Sequence, residues 1–113
     1  MTAQEYVVVQ TTVGKKADAE EISKRLLEER LVACAQIFGP ISSTYWWKGV
    51  IENAQEWLCI MKSRASLFDQ IEKMVKSLHP YETPELIALP ISDGSDEYLE
   101  WMEGALKRSD PKT

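Results

Sequence analysis

The chain has 113 residues, 44% of them hydrophobic and 27% charged, which fits one globular domain over residues 1–113 that buries roughly 65% of its unfolded-chain surface. Its 13 Lys and Arg against 18 Asp and Glu, a net charge of −5, exclude the clustered positive charge that phosphate binding needs, so no nucleic-acid partner is expected. Met1-Thr2-Ala3-Gln4-Glu5 has neither a basic nor an apolar leader segment, and no apolar run nears the ~20 residues needed to cross a bilayer. The expectation is a cytoplasmic protein with no membrane contact.

In chain order, Tyr6 to Val13 is β-branched and reads as a strand that Gly14 ends. Ala17 to Arg30 follows as a helix, with Ala19, Ile22 and Leu26 at helical spacing and Leu27 on the flank. Leu31 to Phe38 is a second apolar run, broken at Gly39-Pro40 and resumed from Ile41 to Trp47. Lys48-Gly49 then makes a two-residue hairpin turn into a strand from Val50 to Lys62. Ser66 is expected to cap a helix that buries Leu67, Phe68, Ile71, Met74, Val75 and Leu78, and Pro80 stops it just after His79. Leu86 to Ile91 is a short strand carrying Pro90. Ser95 caps a last helix with Tyr98, Leu99, Trp101, Met102, Ala105 and Leu106 on one face, and Asp110 to Thr113 should fray. Cys34 and Cys59 lie in apolar runs without CxxC spacing and read as reduced core thiols.

The order βαββαβ plus a C-terminal helix specifies an α+β fold, the ferredoxin-like sandwich, whose antiparallel sheet has spatial order 4-1-3-2. The edge strands of that order are the second and fourth, which carry Pro40 and Pro90, residues an interior strand tolerates poorly. The first strand is apolar on both faces, with Val7 and Val9 against Tyr6 and Val8. So is the third, with Leu58 and Ile60 against Trp57, Cys59 and Met61. Helices cover one face of such a sheet, so the other calls for self-association.

The candidate chemistry centres on His79-Pro80-Tyr81-Glu82-Thr83-Pro84-Glu85, where two prolines hold the only histidine and two nearby carboxylates on a stiff connector. Topology brings this segment to the sheet end that also holds Thr11, Thr12, Lys15, Lys16 and the hairpin tip at Trp46, Trp47 and Lys48. Imidazole with carboxylate suits Cu(II) or Zn(II), but those ions ordinarily take three or four ligands. A histidine in a helix's last turn also has a plain structural reading. Gly14-Lys15-Lys16 before a helix is an anion clue that lacks the phosphate-loop pattern. No Cys or Ser has a visible base partner apart from that histidine, so no enzyme is expected. The third strand lacks the aromatic spacing of RNA-recognition motifs.

Four segments together resemble the CutA family of divalent-cation tolerance proteins: Ala33-Cys34, Tyr45-Trp46-Trp47-Lys48-Gly49, Ile60-Met61-Lys62-Ser63-Arg64, and His79 to Glu85. The resemblance spans nearly the whole chain. It implies a ferredoxin-like subunit, a stable homotrimer with edge strands paired between subunits, and a plan similar to PII signalling proteins. It also implies a copper site on the first-strand cysteine, the His of the HPY motif and the Glu of the PE pair. The last two fall on His79 and Glu85, whereas Thr11 stands where the cysteine would be, removing the soft ligand for Cu(I).

Two functional expectations follow. One is a homotrimer that binds divalent cations, copper or zinc, weakly through His79 and Glu85. The other is a PII-like module that holds a small anionic ligand at intersubunit clefts with Lys15, Lys62, Arg64 and Tyr81. Tyr81 is also expected to pack inward with its hydroxyl hydrogen-bonded.

Overall fold

A computed structural model describes residues 5–108, so the expected fraying of Asp110 to Thr113 lies outside the described residues. The elements are β1 (Tyr6–Val13), α1 (Lys16–Glu28), β2 (Cys34–Trp47), β3 (Val50–Arg64), a single 3-10 turn (Ala65–Leu67), α2 (Phe68–Leu78), β4 (Ile87–Pro90) and α3 (Asp96–Ala105). The sheet order is β2-β3-β1-β4 with every pairing antiparallel, which is the expected order and the expected pair of edges.

Strand alternation sorts the residues into two layers. On one face Val7, Val9, Thr11 and Val13 of β1 stand opposite Ser63, Met61, Cys59 and Trp57 of β3. With Ala19, Ile22 and Leu26 of α1 and Ile71 and Val75 of α2, the apolar members of that face form the core. On the other face Tyr6, Arg64 and Cys34 lie under α3, whose Glu103 accepts from the Tyr6 hydroxyl at 2.8 Å and whose Tyr98 hydroxyl lies 3.8 Å from the Cys34 Sγ. Apart from Thr12 and Glu56, which are buried, much of the rest of that face is open. Phe38 is 66% exposed, and Ile87, Leu89, Tyr45 and Trp47 are exposed beside it.

The hairpin is longer than the sheet it belongs to. β1 pairs with β3 only from Trp57 to Arg64, so Val50 to Glu56 pair with β2 alone and project as a two-stranded arm of roughly 20 Å. Its turn is the expected one: Lys48 (φ 50°) and Gly49 (φ 84°) both take the left-handed geometry that a tight two-residue hairpin requires.

Three local expectations are corrected. Gly39-Pro40 does not interrupt β2; a register shift between Phe38 and Ile41 absorbs one extra residue at the edge, where Pro40 needs no ladder donor. Ser66 does not cap α2, because Ala65–Leu67 winds as a 3-10 turn and the Ser66 hydroxyl instead accepts from Arg64 Nε at 3.1 Å. Ser95 does cap α3, accepting from the Tyr98 N–H. The apolar face of α3 is nevertheless divided, with Leu99, Met102 and Leu106 buried and Tyr98 and Trp101 left exposed against each other, their ring centroids 5.4 Å apart.

Candidate functional site

The connector after α2 forms the floor of a cleft beside the arm. His79 ends the helix in extended geometry (φ −78°, ψ 134°), as the following proline demands, and its ring turns back under β1. Nδ1 lies 3.1 Å from the Tyr81 N–H, which can only donate, so Nδ1 is the acceptor and Nε2 carries the proton. That Nε2–H points at the carbonyl oxygen of Thr12, 2.7 Å away. The imidazole, 8% exposed, therefore spends both nitrogens on backbone and packs against the Tyr81 ring at 4.8 Å between centroids.

Tyr81 carries the structure from the connector to the arm. Its hydroxyl donates to Glu56 Oε2 at 2.8 Å, and the Gly14 backbone lies so near that a side chain there would press on the phenol oxygen. Burial, then the hydrogen bond to the Glu56 carboxylate, raises the Tyr81 phenol well above its ordinary range, so it stays a neutral donor. Glu56 itself is 5% exposed and shares the open-face register with Leu58 and Ile60. Sequence reading missed it, although a carboxylate in phase with an apolar strand face was a visible signal.

Between the arm and residues 81–85 lies a cleft of about 770 Å³ lined by Thr12, Ser43 to Trp47, Glu56 and Tyr81 to Glu85. Its charged lining residues are all acidic: Glu56, Glu82 and Glu85. Glu85 is steadied by Gln10, whose Nε2 donates to Oε2 at 3.1 Å. The structure thus brings Tyr81 and Glu85 together at one cleft, with His79 supporting it from behind Tyr81. Among the described residues no three of His, Cys, Asp and Glu converge as a ready-made ligand set.

The cationic set does not converge within a subunit. Arg64 pairs with Tyr6 and Lys62 with Val8, at the opposite end of β1 from Thr12 and roughly 20 Å from the cleft for Arg64. Arg64 is buried and committed to α3, bonding Glu103 Oε1 at 3.1 Å, the Lys107 carbonyl and Ser66. Lys62 donates to Gln36 Oε1. Lys15 stands exposed at the N-cap of α1, at the cleft's end of the sheet. Thr11, where the resemblance places a thiolate, is 0% exposed on the helix-facing side of β1, and its hydroxyl has no hydrogen-bond partner among the described residues. The adjacent Thr12 is the residue that reaches the cleft.

A family model described as CutA1 divalent ion tolerance protein matches residues 7–105. The chain belongs to the CutA1 family. It is 43% identical over 95 residues to the divalent-cation tolerance protein CutA of Thermus thermophilus, covering 84% of this chain and 92% of that one. It is 40% identical over 103 residues to the chloroplastic protein CutA 1 of Oryza sativa, covering 91% of this chain, though the match spans only 58% of the rice protein's length. The rice crystal structure superposes with a TM-score of 0.88 at 39% identity, over 92% of this chain and 95% of that chain. A structure from Archaeoglobus fulgidus, described as a periplasmic divalent cation tolerance protein, gives 0.87 at 40% identity over 90% and 99%. The Thermus and Archaeoglobus relatives are named for divalent-cation tolerance rather than for a catalysed reaction, and the rice and Archaeoglobus names place those proteins in different compartments. Among the described residues no helix is long and apolar enough to cross a membrane.

Proposed function

We propose that the chain acts in divalent-cation tolerance as a cytosolic, non-catalytic homotrimer that binds Cu(II) or Zn(II) weakly at the acidic cleft. Membership of the CutA1 family supports the cation, and the observation that carries the site is the lining, which offers Glu56, Glu82 and Glu85 with no Lys or Arg among them. A cation entering there meets Glu85 and Glu82 first, since both are exposed and Glu56 is engaged with Tyr81. His79 joins the ligand set only through Nδ1, by displacing the Tyr81 N–H, which makes weak binding the natural outcome. Unmet coordination positions are left to water or to a neighbouring subunit.

The competing reading, a small anion held by Lys15, Lys62, Arg64 and Tyr81, requires a second subunit to bring the cations together, and Tyr81 already faces carboxylates. Calorimetric titration with Cu(II) and Zn(II) tests the proposal. Glu85→Gln should weaken binding about tenfold, the effect of losing one charged ligand worth about 1.4 kcal/mol. Unchanged binding in Glu85→Gln removes this site.

A further inference from the structure

Of the ten residues of α3, only Leu99 and Met102 are fully buried, while Tyr98 and Trp101 stay exposed on it. An element with so little apolar cover opens at lower free energy than the core on which it lies. What holds α3 is a set of polar contacts gathered at its C-terminal end. Glu103 Oε1 accepts from the Tyr6 hydroxyl at 2.8 Å and from Arg64 Nη1 at 3.1 Å, and Arg64 Nη2 also donates to the Lys107 carbonyl. Arg30, in the turn after α1, takes the same end. Its Nη1 donates to the Ala105 carbonyl at 3.0 Å, and its own carbonyl accepts from the Lys107 N–H at 2.7 Å. Two guanidinium groups thus meet the carbonyls of a helix C-terminus, where positive charge is favoured.

Arg30 keeps this position against its backbone preference. Its φ of 56° is left-handed, in a turn where its N–H bonds the Leu27 carbonyl and the Leu31 N–H bonds that of Leu26, and glycine is the usual residue at such a helix end. The arginine accepts that strain and supplies a side chain to α3. At the other end of the helix, Ser92-Asp93-Gly94-Ser95 has neither helix nor strand and can serve as a hinge. Beneath α3 lie Tyr6, Arg64 and Cys34, at the covered end of a sheet face that is elsewhere largely open.

We propose that α3 is a hinged strap, clamped by Arg30 and Arg64, that opens without unfolding of the core and so sets how far the uncovered sheet face extends.

The test is hydrogen exchange of the full-length protein in its native association state, read by mass spectrometry, with labelling by a bulky maleimide alongside. The two cysteines report different openings. Cys34 lies beside the Tyr98 hydroxyl and reports the strap, whereas Cys59, 0% exposed in the core, reports unfolding of the core. In the wild type, α3 amides should be protected at least about tenfold less than those of β1 and β3, Cys34 should label before Cys59, and α3 exchange should rise less steeply with urea, since a local opening exposes little surface. Glu103→Gln and Arg30→Gly should each speed α3 exchange and Cys34 labelling about fivefold, the loss of roughly one net hydrogen bond. Arg30 is exposed and Glu103 is 41% exposed, so both variants retain the fold. Arg30→Gly also relieves left-handed strain in the turn after α1, which favours the folded core, so Cys59 labelling should change less than Cys34 labelling in that variant. Exchange of α3 at the rate and urea dependence of the core overturns the proposal. So does α3 exchange that neither variant speeds, or Cys34 and Cys59 labelling that change in step in Arg30→Gly.

Discussion

His79 is joined to Thr12 across 67 residues of chain, its Nε2–H lying 2.7 Å from the Thr12 carbonyl oxygen at the end of β1. With Nδ1 receiving the Tyr81 N–H, the ring ties a backbone group of β1 to one of the connector. The histidine that the sequence marks as a ligand candidate therefore has a structural task in the absence of any metal. Loss of cation binding on replacing it would not by itself show ligation.

His79→Ala should lower stability by about 1–3 kcal/mol, the range for stranding a buried polar group. Tyr81→Phe should cost a similar amount, since it leaves the buried Glu56 carboxylate without its phenol. Chemical denaturation of both variants without added metal measures this, and a His79→Ala protein as stable as wild type would free the imidazole for a purely ligating role.

Gly39 is predicted to resist substitution. A Cβ there would meet the Trp57 ring at 2.8 Å and the Glu56 carbonyl oxygen at 3.0 Å, so Gly39→Ala forces Trp57 or the strand to move. A loss of about 1–3 kcal/mol is expected from denaturant midpoints. Because the displaced strand carries Glu56, ligand affinity at the cleft should fall in the same variant, whereas a fully native midpoint would mean that the β2 bulge yields without resistance.

What the sequence made legible was what local rules govern. Lys48-Gly49 announced a hairpin because few residues accept positive φ in succession, and Pro40 and Pro90 marked edges because a proline cannot donate into a ladder. Ser95 worked as a cap and Ser66 did not, since the Arg64 side chain, itself drawn to Glu103, claims the Ser66 hydroxyl. That competition is long-range and invisible to a four-residue motif. The same holds at the cleft. Glu85 and Tyr81 were found from the proline-framed segment, but their partners Gln10 and Glu56 depend on strand register. Arg64 looked like a free cation for an anion until α3, some 40 residues on, proved to occupy it.

The open sheet face should be where copies of this chain meet. Phe38, Ile87 and Leu89 are exposed on it next to the half-buried Leu58 and Ile60, an apolar surface that α3 leaves uncovered. Light scattering at low micromolar concentration should give the mass of three chains. Phe38→Asp should shift that mass toward one chain by placing a charge in the buried patch, and a monomeric wild-type protein would remove the assembly along with any shared site.

Alkaline pH should loosen the attachment of α3 through Tyr6. Its phenol, fully buried, is raised from 10.0 to about 12, first by burial and then by its hydrogen bond to the Glu103 carboxylate. Below pH 10 the folded and unfolded chains both keep this proton, and the stabilisation is complete. Between pH 10 and about 12 only the unfolded chain releases it, so stability falls as pH rises, by on the order of 2 kcal/mol from this group. Tyr81, raised in the same direction, adds to the decline and extends it further. Tyr6→Phe has no phenol to titrate, so its stability should start lower, having lost the bond to Glu103, and then fall less steeply across that window. Parallel slopes for wild type and Tyr6→Phe in urea unfolding at pH 9, 10 and 11 would show that the buried phenol is not the group that sets the alkaline limit.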